Sequence, residues 1–135
     1  MKSLFKRFVL PAAAITLALG GGVASAQPIA QTPLNQPVQA SGSVDPVRAS
    51  DCGLLGSAPV QVLQVNQDFA AVDVAVDGTS GLTLMIQGDN GFNECHTGGS
   101  GAIHAPGLLD RGTYSFFVGN AGNVSTSYNL TISEN

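Results

Sequence analysis

The sequence predicts an all-β protein: an antiparallel β-sandwich or jelly roll with one disulfide, preceded by a signal peptide and a disordered linker. Three observations predict it. Beyond Cys52 the apolar residues recur with period two, and no segment keeps a helical period. Gly-, Asn- and Asp-rich turn signals separate short β-branched runs, the pattern of sandwiches and barrels. The only two cysteines, Cys52 and Cys95, both lie downstream of an export signal.

The N-terminus carries Lys2, Lys6 and Arg7, then an apolar stretch over residues 8–23, then Ala24-Ser25-Ala26. Basic region, apolar region and small-residue exit form a signal peptide over residues 1–26, with cleavage expected after Ala26. The competing reading, a membrane anchor, fits less well. The apolar run is short for a ~20-residue span, and Pro11 and Gly20-Gly21-Gly22 interrupt it. No cysteine follows the site directly, so no lipid anchor is expected. The chain is expected in the periplasm or outside the cell, with no membrane span after cleavage.

Export changes the charge balance. Only Arg48 and Arg111 remain against nine acidic residues, a formal −7, and no lysine is left. Nucleic acid and anionic membrane surfaces are disfavoured, because both are bound through Lys and Arg. Lysine-dependent mechanisms are excluded. The remaining roughly one hundred residues suit one domain, and a core that small often needs a staple. Cys52 and Cys95 are expected to pair, which would stabilise the fold by about 4 kcal/mol; free thiols or metal ligands are the alternative.

Residues 27–51 hold Pro28, Pro33, Pro37 and Pro46 among Gln, Ser and Gly, without an apolar period. They read as an extended, mobile tether, leaving residues 52–135 as the domain. Val60 to Val65 is strand-like. In the next strand Val72, Val74 and Val76 alternate against Asp73, Ala75 and Asp77, a dry face opposite a charged one. Asp77-Gly78-Thr79-Ser80-Gly81 has hairpin length before Leu82, Leu84 and Ile86. Gly88-Asp89-Asn90-Gly91 closes that strand. Short strands are expected over residues 92–96 and 102–105, with a flexible loop over 98–101. Asp110-Arg111-Gly112 reads as a turn into a strand with Tyr114, Phe116 and Val118 on one face. Tyr128, Leu130 and Ile132 share a face of the last strand.

The run Leu108-Leu109-Asp110-Arg111-Gly112-Thr113-Tyr114-Ser115-Phe116-Phe117-Val118-Gly119, followed by Ser127-Tyr128-Asn129-Leu130-Thr131-Ile132-Ser133, resembles the bacterial pre-peptidase C-terminal domain. A Gly-Thr-Tyr turn opens a strand ending near Val-Gly, and a Tyr-x-Leu-x-Ile strand closes the domain. Leu82 to Gly88 looks like the family's earlier strand. The resemblance spans residues 60–133. It implies a β-sandwich found beside secreted peptidases, with roles in secretion, folding or substrate binding. No accompanying peptidase domain is expected from these residues. Asp51-Cys52-Gly53 looks like a subgroup feature, and exported cyanobacterial proteins of unknown role are similar in overall pattern.

Candidate chemistry is sparse. Cys95-His96, with His104, could suggest an activated thiol or metal ligands. Adjacent strand residues point to opposite faces, however, and zinc-type spacing is absent. Asp73 and Asp77 share a strand face, as acid–base pairs can, but such residues usually solvate an outer face. Asp89, Asn90, Asn93 and Glu94 are rich in oxygen ligands for calcium, yet lack EF-hand spacing, and Asp-Asn-Gly is ordinary turn chemistry. No serine sits in a G-x-S-x-G elbow, and Ser100 lies in a glycine loop. Asn123 and Asn129 match glycosylation acceptors, with no meaning expected in a bacterial setting. Tyr114, Phe116 and Tyr128 read as core.

The expectation is a monomeric, non-catalytic binding or accessory module for a protein or polysaccharide, without a cofactor or metal. Asp89, Asn93 and His96, in the polar stretch 88–101, are the expected binding residues, since loops on a rigid scaffold carry function. A structural subunit of an envelope or extracellular assembly is the alternative. A secreted hydrolase using His96, His104 or an aspartate comes third.

Overall fold

A computed structural model describes residues 29–99 and 102–135. The expected signal peptide, with its cleavage site, lies outside the described residues. Among the described residues the secondary structure is all β. The strands are β1 (Ile29–Gln31), β2 (Val38–Val44), β3 (Arg48–Ser50), β4 (Gly53–Leu55), β5 (Gln61–Gly78), β6 (Leu82–Gly88), β7 (Asn93–Thr97), β8 (Ala102–Asn120) and β9 (Thr126–Glu134). They form one hydrogen-bonded sheet, antiparallel except where β1 runs parallel to β5.

Two long strands fold this sheet into two layers. β5 and β8 pair along almost their whole length, with a register shift between Val65 and Phe69. Before the shift, Leu63 and Val65 face the core; after it, Ala70, Val72, Val74 and Val76 do. β8 changes phase in the same place, from Ile103, Ala105 and Leu109 to Tyr114, Phe116 and Val118. A bulge adds a residue on one strand and increases the local twist, which carries each strand from one layer into the other. One layer is β2–β9–β5–β8, using the later part of β5 and the earlier part of β8. The other joins β1, early β5, late β8, β6 and β7, with β4 and β3 continuing beside the end of β8. The inner faces of both layers form a single apolar core.

The structure corrects three expectations. Residues 29–51 are not a tether. β2 pairs with β9 from Val38↔Ile132 to Val44↔Thr126, and Val38, Ala40 and Val44 pack on the core. Buried Thr32 accepts from the Asn66 N–H, while its carbonyl accepts from Asn66 Nδ2, tying this segment to the bulge of β5. The folded domain therefore includes residues read as linker. Second, residues 77–81 make no β5–β6 hairpin. Late β5 already has β8 and β9 on its two edges, so the chain crosses to the other layer, where β6 pairs with β7 and β8. Third, Asp110-Arg111-Gly112 is not a chain reversal. It is the bend of a continuous β8 opposite the β5 bulge, where Arg111 pairs with Asp68 at 3.2 Å.

The disulfide joins Cys52, before β4, to Cys95 on β7, with Cα atoms 5.5 Å apart. It covers the outer face of β6. Cys52, Leu55 and Met85 form a second buried cluster there, with Phe117 packed against it. The Arg48 guanidinium lies 4.6 Å from the centre of the Phe117 ring.

Candidate functional site

The sequence singled out the stretch 88–101, and the structure resolves it into a turn and an edge strand. Gly88-Asp89-Asn90-Gly91 joins β6 to β7, closed by Gly88 N–H to Phe92 O at 2.8 Å. The polar side chains of this turn are spent on β8. Asp89 Oδ1 accepts from Thr113 N–H at 3.1 Å. Asn90 Nδ2 donates to the Tyr114 hydroxyl at 3.0 Å, and that hydroxyl donates to Asp110 O at 2.7 Å. Phe92 meets the fully buried Tyr114 ring edge-on, centroids 5.4 Å apart.

These contacts give the Gly-Thr-Tyr motif a structural meaning. A Cβ on Gly112 would stand 2.8 Å from Asp89 Oδ1 and 3.0 Å from Asn90 Nδ2. The later Gly119 is constrained more tightly, since a Cβ there would lie 2.1 Å from the backbone oxygen of Leu54 on the neighbouring strand. Both glycines permit close approach of neighbouring segments.

Asp89, Asn93 and His96 therefore do not converge. Asp89 is turned to Thr113, while Asn93 and His96 occupy opposite faces of β7 by strand alternation. His96 Nε2 lies 3.0 Å from Glu94 Oε1. His104 lies on the other layer, 3.6 Å from Asp73 Oδ1. Asp77 Oδ1 accepts from Asn129 Nδ2 and Asp73 Oδ2 from Asn135 Nδ2, each at 3.3 Å. Exposed pairs of this kind contribute about 1 kcal/mol or less. Among the described residues, no group of three or more His, Cys, Asp or Glu comes together. Ser100 lies outside the described residues.

What the stretch does build is one wall of a lateral seam. Among the described residues β7 pairs only with β6, and Ala102 to Asp110 of β8 pairs only with β5, so each layer ends there in a strand edge without a described partner. The two edges flank a small cavity of about 60 Å³, with Ile86, Phe92 and Glu94 on one side and Ala105 and Leu108 on the other. Leu108 is 62% exposed, and Phe69, near it across β5 and β8, is 59% exposed. Sequence reasoning missed Leu108, although a signal was present. Leu108-Leu109 puts two large apolar residues in succession on a period-two strand, so one of them must face outward.

The two-layer arrangement, with its long bent strands, is that of the pre-peptidase C-terminal domain. The crystal structure of that domain from Bacillus anthracis collagenase superposes with a TM-score of 0.50 at 16% identity, over 82% of this chain and 100% of that one. No protein-family model matches the chain. An uncharacterized protein of Synechococcus elongatus is 30% identical over 101 residues, covering 71% of this chain and 75% of its own. The chain belongs to the same family as that cyanobacterial protein.

Proposed function

We propose that the protein is an exported, non-catalytic binding module that takes an extended segment of a partner protein along the seam between β7 and β8. The observation that carries this is the pair of strand edges, unpaired among the described residues, facing one small cavity of mixed lining. A free edge offers a row of N–H and C=O groups to an added strand, and side-chain pockets beside it supply selectivity. Glu94 on the wall, and the formal −7 left after removal of a signal peptide, favour a neutral or basic segment. The likeness to a collagenase's C-terminal domain supports an accessory rather than a catalytic role. A disulfide-bearing domain of this fold fits an oxidising compartment outside the cytoplasm.

The test is capture from the native envelope with three forms: wild type, Leu108→Glu, and Val124→Glu. Val124 is also exposed, at 50%, but does not line the seam. The expected result is one partner recovered by wild type and Val124→Glu and lost with Leu108→Glu. Equal recovery by all three forms would remove the seam as the site. Concentration-dependent self-association lost with Leu108→Glu would instead make the chain an assembly subunit joined through its edges. Hydrolytic activity lost on changing His96 or His104 would overturn the non-catalytic reading.

A further inference from the structure

A second hollow lies at the end of the sandwich, where the chain leaves β2, passes from β4 to β5, and enters β9. It has a volume of about 430 Å³ and shares no lining residue with the seam. That volume lies within the usual range for small-molecule sites, roughly 300–1,000 Å³.

Its polar groups are Ser43, Asp45, Ser57 and Tyr128, and Val47 and Pro59 supply apolar wall. Tyr128 is the informative residue. Its ring belongs to the core, while its hydroxyl, without a hydrogen-bond partner among the described residues, is left accessible at the surface. That hydroxyl is not sealed in the core and opens to solvent, unlike the hydroxyl of Tyr114, which both donates and accepts within the protein. Directly across the pairing of β2 with β9 stands Gly42, which has no side chain to cover that hydroxyl. Like any tyrosine at neutral pH, the Tyr128 phenol is protonated and can both donate and accept; burial raises its pKa further.

We propose that this hollow binds a neutral saccharide unit, with Tyr128, Ser43, Ser57 and Asp45 hydrogen-bonding its hydroxyls and Val47 and Pro59 against its C–H face. No lysine, arginine or histidine lines the hollow, so it offers nothing to a phosphate, sulfate or uronate. Hydroxyls that donate and accept, beside a carboxylate that accepts from neighbouring donors, match a polyol. The proposal stands apart from the seam, and either can fail alone.

The test is a titration of the isotope-labelled chain, followed by backbone amide shifts. The probes are glucose, galactose, mannose and N-acetylglucosamine, their linear trimers, and a tetraserine peptide as a polar non-sugar. Saturable shifts confined to residues 42–47, 56–60 and 127–129, with at least one sugar and not with the peptide, are expected. Tyr128→Phe keeps the ring and removes only an unpartnered hydroxyl, so it should fold like wild type and bind about fivefold more weakly. Asp45→Asn should weaken binding as well. Saturation by the peptide alone, no saturation by any sugar, shifts centred elsewhere, or unchanged binding in Tyr128→Phe would each overturn the proposal.

Discussion

Replacing Cys52 and Cys95 together by serine is expected to lower unfolding stability by about 4 kcal/mol, a large share of the ~5–15 kcal/mol typical of a domain. The cysteines are 43 residues apart, and the bridge closes a loop containing the whole β5 crossover. By the chain-entropy model its loss restores that freedom to the unfolded chain. The folded state loses as well. The bridge is a cross-link on β7, a strand paired on one side only among the described residues, and Cys52 fills the cluster with Leu55 and Met85. Urea unfolding of oxidised wild type against the double variant measures the effect. A change under about 1 kcal/mol would mean that β7 and β4 are held by packing alone.

Tyr114→Ala is expected to cost about 4 kcal/mol, the range for truncating a fully buried aromatic. Tyr114→Phe should cost about 1 to 2 kcal/mol. The difference separates two functions of one side chain. The ring fills the core between Phe92 and the β-bend, and no part of it is exposed. The hydroxyl fastens the β6–β7 turn, through Asn90, to the carbonyl of Asp110 at the bend of β8. Equilibrium unfolding of both variants gives the two numbers. Equal losses would show that the ring contributes little beyond its hydrogen bonds, contrary to its complete burial.

Strands with strong period two were legible in the sequence. Val72, Val74 and Val76, then Tyr114, Phe116 and Val118, then Leu130 and Ile132, all face the core as their alternation requires. The disulfide was legible because Cys95 is the single possible partner of Cys52 in the sequence. β2 was not, because its inward residues are Val38, Ala40, Gly42 and Val44. These are too small to stand out, while Gln39, Ser41 and Ser43 dominate its composition. The long strands β5 and β8 were each read as two, since the bulge shifts the phase that marks a strand as continuous. Asp89 was read as a ligand group because its partner, the Thr113 N–H, lies 24 residues away. A seam depends wholly on such distant pairings: nothing local says that Glu94 and Leu108 will flank one cavity. Exposed Phe69, out of phase with Val72 and its fellows, was the other sign that an outer face carries apolar surface.

The central claim is that partner contact occurs along the unpaired edges of β7 and β8. Its most direct measurement is photo-cross-linking in the native envelope, with a photoreactive residue placed singly at Glu94, Leu108 or Gln39. Glu94 and Leu108 line the seam, while Gln39 lies on β2 at the far edge of its layer. The account predicts the same adduct from Glu94 and Leu108 and none from Gln39. An adduct from Gln39 alone, or equal adducts from all three, would contradict it.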